Sequence, residues 1–111
     1  MGKILHHYTT ASGLAGILKT KSIFSSTRAA NPRDARYGDG QYLSDIPPGT
    51  KRPGQLSRAF LRTPFCGRRF THYVSIDVTG LKVKTCRPFV FLVENKGALD
   101  ISKRLVTHGR N

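Results

Sequence analysis

Two short segments concentrate the side chains from which a reaction can be built. They are Leu5-His6-His7-Tyr8-Thr9 and Tyr37-Gly38-Asp39-Gly40-Gln41-Tyr42-Leu43-Ser44-Asp45. The first sets imidazole, phenol and hydroxyl groups side by side, and the second brackets a Gly-x-Gly step with tyrosines and carboxylates. Glycines at that spacing let a backbone approach a ligand closely. The dinucleotide fingerprint, however, needs a third glycine where Leu43 stands, and then a helix where a strand is expected, so a Rossmann site is excluded. Metal chemistry is not expected either: His6, His7, His72 and His108 show no HExxH spacing, and Cys66 and Cys86 no CxxC. Taken singly, a histidine or tyrosine in a strand is more often structural than catalytic. The signal lies in the two segments together.

Elements must hold these residues in place. Ile4 to Thr9 reads as a short strand. Leu14, Ile17 and Leu18 recur at i, i+3 and i+4, with Thr9, Thr10 or Ser12 as N-cap, which predicts an amphipathic helix over 11–20 weakened by Gly13 and Gly16. Ile23 to Ser25 makes a brief strand. From Ser26 to Gly40 the composition turns to Arg, Asn, Pro, Asp and Gly, giving a loop of about 15 residues, a length usually tied to function. It leads directly into Gln41-Tyr42-Leu43-Ser44.

Pro47, Pro48, Gly49, Pro53 and Gly54 form a second irregular stretch, followed by a short helix over Gln55 to Arg62. His72 to Val78 alternates, with Val74, Ile76 and Val78 on one face and Tyr73, Ser75 and Asp77 on the other. Leu81 to Cys86 alternates again, as a strand wet on one face does. Phe89-Val90-Phe91-Leu92-Val93 is apolar throughout, as expected of a central strand covered on both faces. Leu105 and Val106 belong to a last short strand. These periods sum to a small α+β domain dominated by sheet, occupying residues 1–111 as a single unit.

Composition bounds the partners. The chain has 111 residues, with 19 Lys+Arg against 6 Asp+Glu and a formal net charge of +13. A polyanion is the first expectation for a chain of that balance. No acidic residue falls between Asp45 and Asp77, whereas Lys51, Arg52, Arg58, Arg62, Arg68 and Arg69 do. Arg58 and Arg62 lie four apart and would share a helix face. The stretch is either a solvated basic surface or a phosphate-tracking patch whose affinity falls with salt. No apolar run approaches the roughly 18 residues of a membrane span, and the first residues lack both a signal-peptide stretch and, with His6 in the way, the myristoylation pattern. The expectation is a soluble, unanchored monomer with no membrane partner. Cys66 and Cys86 are expected as free thiols, because no extracellular context favours pairing.

The two chemistry-bearing segments together resemble the ADP-ribosyltransferase fold of the diphtheria toxin and poly(ADP-ribose) polymerase branch, in which a His-x-Thr/Ser strand is followed by a Gly-x-Gly-x-Tyr strand. The chain is most similar to the small bacterial toxin domains called HYD1-type ADP-ribosyltransferases. Their recurring segment is matched here by Ser26-Thr27, Asn31-Pro32, Asp34 and Tyr37 to Leu43. The match is motif-level over residues 4–48. It implies split, mainly antiparallel sheets with one or two short helices.

The resemblance further implies an enzyme that uses NAD as co-substrate. His7 would hydrogen-bond the adenosine ribose, the Tyr8 backbone would hold the nicotinamide amide, and the Thr9 hydroxyl would steady the strand or the ribose. Tyr42 would stack on the nicotinamide ring, with Tyr37, Gly38 and Gly40 shaping the same site. Arg28 and Arg36 would grip the pyrophosphate, for which a guanidinium fork suits better than an ammonium. His6, on the opposite face of an extended strand, would be dispensable. Where many relatives carry a catalytic Glu, at the start of the late central strand, this chain reads Arg87-Pro88-Phe89-Val90, with Glu94 at the far end. Asp39, Asp77 and Asp34 compete for the vacant role. Asp77 would face the cleft if the apolar face of its strand is core, and would otherwise cap the turn before Gly80.

The implied activity is mono-ADP-ribosyl transfer by a toxin or effector domain, delivered by a longer protein into the target-cell cytoplasm and matched by an immunity protein. Arg58, Arg62, Arg68 and Arg69 would dock an anionic acceptor such as RNA or a ribosome. Two alternatives stand beside it: an NAD glycohydrolase, and a non-catalytic basic RNA-binding module that stacks bases on Phe60, Phe65 and Phe70.

Overall fold

A computed structural model describes residues 3–25, 37–61, 67–95 and 97–111. The first strand, β1 (Ile4–Thr9), and the first helix, α1 (Ala11–Thr20), occupy the expected residues. Thr10 is the N-cap: its hydroxyl accepts from the Gly13 N–H at 3.0 Å. Lys21 closes the helix in the left-handed region, φ 55. β2 (Ser22–Ile23) and β3 (Gly40–Leu43) follow. The second helix, α2 (Pro53–Leu61), starts earlier than its periodicity suggested. Its start is favourable: proline suits the first helical turn, and Gln55 reaches back through Oε1 to the Arg52 N–H at 2.8 Å.

Beyond a 3₁₀ turn at Gly67–Phe70 come β4 (His72–Asp77), β5 (Lys84–Arg87), β6 (Val90–Glu94), β7 (Leu99–Asp100) and β8 (Leu105–Arg110). The 3₁₀ turn and β7 carry no period that pattern reading detects. All strand pairings among the described residues are antiparallel, in three sheets ordered β1-β4-β8, β3-β6-β5 and β2-β7. This is the split α+β architecture of sheets and two helices that the resemblance implied.

Two apolar clusters sandwich the β1-β4-β8 sheet. Leu5, Val74 and Ile76 on one face meet Leu14 and Ile17 of α1, together with Leu43, Phe91 and Val93 of the other large sheet. Tyr8 on the opposite face meets Ile46, Leu56 of α2 and Phe70. Both faces of β4 are therefore covered, and Ser75 is as buried as its apolar neighbours. The face of Tyr73 and Ser75 is thus covered as well as that of Val74 and Ile76.

Two other expectations change. Leu81 and Val83 pack against the first cluster but precede the strand, which is Lys84–Arg87. Phe89 lies outside β6: with Pro88 it forms the two-residue turn between β5 and β6, at φ 72 and 46% exposed. Proline then a positive φ is type II turn geometry, which normally selects glycine at the second position.

Gly40 is dictated by close approach, since a Cβ there would run into the Val93 carbonyl of β6 and its φ is 153. Gly40→Ala is expected to cost on the order of 3 kcal/mol in chemical denaturation. Gly16→Ala, at a helical site with nothing within 4 Å, should instead stabilise by about 0.5–1 kcal/mol. Equal effects of the two substitutions would contradict this packing.

Candidate functional site

The two chemistry-bearing segments meet where the large sheets touch. His6 and Ser44 exchange backbone hydrogen bonds, His6 N–H to Ser44 O at 2.8 Å and Ser44 N–H to His6 O at 2.7 Å. This single bridge joins β1 to the end of β3, and beyond it the strands separate. Antiparallel pairing alternates the direction of backbone groups. Because His6 spends its N–H and C=O on Ser44, the β4 side is served by Leu5, His7 and Thr9. Tyr8 therefore points its N–H and C=O the same way as His6, into the opening between β1 and β3. Among the described residues no backbone partner meets them there. A pair of one donor and one acceptor on one residue is complementary to a primary carboxamide.

His7 spans the same opening. Its Nδ1 lies 2.9 Å from the Tyr42 carbonyl oxygen. A carbonyl only accepts, so neutral His7 carries its proton on Nδ1 and presents the Nε2 lone pair. Burial pushes the His7 pKa below 6.5, against a smaller opposing effect of the Tyr42 hydrogen bond. Tyr42 in turn braces the glycine turn before it: its hydroxyl donates to Gly38 O at 2.6 Å and accepts from the Tyr37 N–H at 3.0 Å. Gly38, at φ 127, admits that curl where L side chains rarely go. Asp39 sits in the same turn, partly buried, with its carbonyl accepting from the Asn95 N–H at 3.1 Å. His7, Tyr8, Tyr37, Gly38, Asp39, Gly40 and Tyr42 thus lie together along the β1–β3 junction and the turn that leads into β3. The Thr9 hydroxyl lies against Gly13 of α1, where a Cβ would sit.

Other expected site residues are elsewhere. Asp77 pairs with Ile4 and so lies on the sheet face opposite His7. Its carboxylate accepts from the Thr79 N–H at 2.9 Å and from the Thr79 hydroxyl at 2.5 Å, and these bonds hold its pKa below the usual carboxylate value. It caps the turn before Gly80, beside an open pocket of about 520 Å³ shared with Asp100, Lys103 and Arg104. Arg58, Arg68 and Arg69 are exposed on α2 and the 3₁₀ turn. Arg28, Asp34, Arg36 and Arg62 lie outside the described residues. So do Phe65 and Cys66. Phe60 and Phe70 meet edge-on, ring centroids 5.2 Å apart, and Phe60 also packs on Tyr8 at 5.7 Å. They are core rather than stacking platforms.

Two supporting residues, Gln41 and Ser75, escaped the sequence reading as site residues, and Tyr8 was read there for its backbone alone. Tyr8 donates its hydroxyl to Ile46 O at 2.6 Å, and burial beside Tyr73 pushes its pKa up to about 12. Gln41, buried, donates through Nε2 to Ile23 O at 3.0 Å and Gly97 O at 2.9 Å, tying β3 to the β2-β7 pair. Ser75 lies 2.6 Å from His6 Nδ1. His6 is thus on the face opposite His7, as expected, but it is built into the junction. Only the alternation of β4 hinted at Ser75, and nothing in the sequence marked Gln41.

Comparison with known proteins bears on the arrangement. A family model described as HYD1 signature containing ADP-ribosyltransferase matches residues 5–105. No curated protein and no solved structure matches.

The two junction histidines make stability depend on pH. His6 and His7 both have pKa values lowered by burial from 6.5, with Asp45 opposing the shift at His6. As pH falls through about 6.5 the unfolded chain takes up protons that the folded chain refuses, so this contribution is full above 6.5 and declines below it. The urea midpoint should therefore drop between about pH 7.5 and about pH 5.5. His7→Gln should flatten that dependence, and a wild-type midpoint that does not move would refute the neutral-histidine junction.

Proposed function

This chain belongs to the HYD1-signature ADP-ribosyltransferase family, and from that premise we propose how its own residues handle NAD and an acceptor. The observation that carries the reading is the junction of β1 and β3, where the Tyr8 N–H and C=O have no backbone partner among the described residues and His7 bonds the Tyr42 carbonyl. The Tyr8 N–H donates to the nicotinamide carboxamide oxygen and the Tyr8 C=O accepts from its amide nitrogen. His7, with its proton held on Nδ1 by Tyr42, accepts a ribose hydroxyl at Nε2. The Tyr42 ring gives nicotinamide a stacking face while its hydroxyl keeps the Gly38 turn closed.

NAD supplies the electrophile: nicotinamide departs with the bonding pair of the glycosidic bond while positive charge develops on the ribose. The residues' task is to align, to exclude water and to set negative charge beside that sugar. Asp39 is the acid of choice because it shares the turn with Tyr42. Asp77 is bonded to Thr79 on the far face of the sheet, which argues against its candidacy.

The acceptor that the charge favours is anionic, with structured RNA the leading class. Arg58, Arg68 and Arg69 offer exposed guanidinium groups within a chain of net charge +13, and such groups track phosphates. Water as acceptor, which would make the domain an NAD glycohydrolase, is the second reading. Against the RNA-binding module without catalysis stands the packing of Phe70 inside the second cluster, with Phe60 partly buried against it. In the leading reading the domain acts as a monomeric toxin, delivered into the cytoplasm of a target cell and held in check by an immunity protein.

NAD labelled in its adenosine moiety, incubated with the protein and with or without total RNA and cell protein, tests this directly. Label joining RNA supports the leading acceptor, label on protein moves it, free ADP-ribose alone marks hydrolysis, and no release of nicotinamide overturns the enzymatic readings. Tyr42→Ala should lower nicotinamide release by about a hundredfold or more, and Tyr42→Phe, which keeps the ring, by clearly less. Charge reversal at Arg58 and Arg68 should depress acceptor labelling more than NAD hydrolysis, and the more so at low salt.

A further inference from the structure

The strand β8 closes one side of its sheet and leaves its outer edge open. The direction of every backbone group on that edge follows from the pairing. β1 takes the N–H and C=O groups of Val74 and His72, opposite His7 and Thr9. On the other side of β4, the groups that face β8 belong to Tyr73, Ser75 and Asp77, paired with Gly109, Thr107 and, through Asp77 N–H, the Arg104 carbonyl. Asn111 N–H also turns inward, to Thr71 O at 2.8 Å. By alternation, His108 and Arg110 present their N–H and C=O groups outward. Among the described residues nothing pairs with them. Their side chains are exposed, as are Thr107 and Val106, the latter at 55%.

Edge strands are normally blunted by proline, by short length or by cover. This edge has six residues and no proline, and its irregularity is confined to the Ser75/Ile76 end. What it has is the exposed guanidinium of Arg110, two residues from the exposed His108 imidazole, with no carboxylate in the strand. His108 and Arg110, two apart, project to the same face of the sheet, the face of Val74 and His72 with which they pair. A second copy of β8 added antiparallel would bring like charges together, which is unfavourable.

We propose that the β8 edge is a docking site for an extended acidic segment of a partner protein, added as an extra strand with carboxylates at alternate positions opposite His108 and Arg110. Backbone hydrogen bonds supply the general affinity of strand addition, and cross-strand charge pairs select the acidic sequence. The site stands apart from the opening between β1 and β3 and does not rest on the reading of NAD chemistry.

The probe is a labelled peptide of about eight residues alternating Val and Glu. Its comparators are an isomer with the Glu residues in one block, and a version with alternate amides N-methylated. Fluorescence anisotropy at about 0.15 M salt should show the alternating peptide binding at least about tenfold tighter than either comparator. Hydrogen exchange should slow at the amides of His108 and Arg110. The double substitution His108→Glu, Arg110→Glu should weaken binding by about tenfold or more, with far-UV circular dichroism confirming the fold. Equal binding of the block isomer would reduce the interaction to bulk charge and overturn the proposal. So would full affinity of the N-methylated peptide, or protection confined to other amides. The peptide comparisons decide the matter even if the double variant does not fold.

Discussion

The pair of backbone hydrogen bonds between His6 and Ser44 is the constraint from which the candidate site follows. One residue of β1 spends both of its outward groups on one residue past β3, so the sheets are joined at a point rather than along a ladder. Had pairing continued, Tyr8 would have met the strand of Tyr42 and its backbone would have been consumed. Because it stops, the Tyr8 N–H and C=O meet no backbone partner among the described residues, and backbone groups are costly to leave unpaired in a dry interior.

The surrounding structure supports that point of contact. On one face of the junction lies the aromatic cluster of Tyr8, Phe60, Phe70 and Leu56; on the other lies the aliphatic cluster beneath α1. Polar links reinforce both: Tyr8 to Ile46, Gln41 to Ile23 and Gly97, and Arg87 Nη2 to the Phe60 carbonyl at 2.6 Å. The Arg87 bond satisfies one of the late carbonyls of α2, a common use of arginine near a helix end. Arg87, at the end of β5, is thereby spent on structure.

Burial disfavours ionisation of the two junction histidines, while Arg58, Arg68, Arg69 and Arg110 are exposed on α2, the 3₁₀ turn and β8. Burial, not neighbouring cations, sets the protonation of His7.

Local chemistry in the sequence determined a good deal. Ile4–Thr9 and Ala11–Thr20 were readable to the residue, because a strand period gives way to a helical one across a Thr10 cap. His7 and Tyr42 stood out because an imidazole and a phenol flank glycines whose need is steric. Tertiary structure alone decided the rest. The opposite faces of β4 could not be ranked from alternation, since Tyr73 packs against the cluster of Leu56 and Phe70 and Ser75 bonds His6, all distant in the chain. The fate of Asp77 depended on Thr79 and on a strand register. Where β1 and β3 part depends on the competition between two sheets for the same backbone, and no stretch of sequence contains that competition. Side-chain type states what a residue can bond; only long-range pairing states which of its groups are left over.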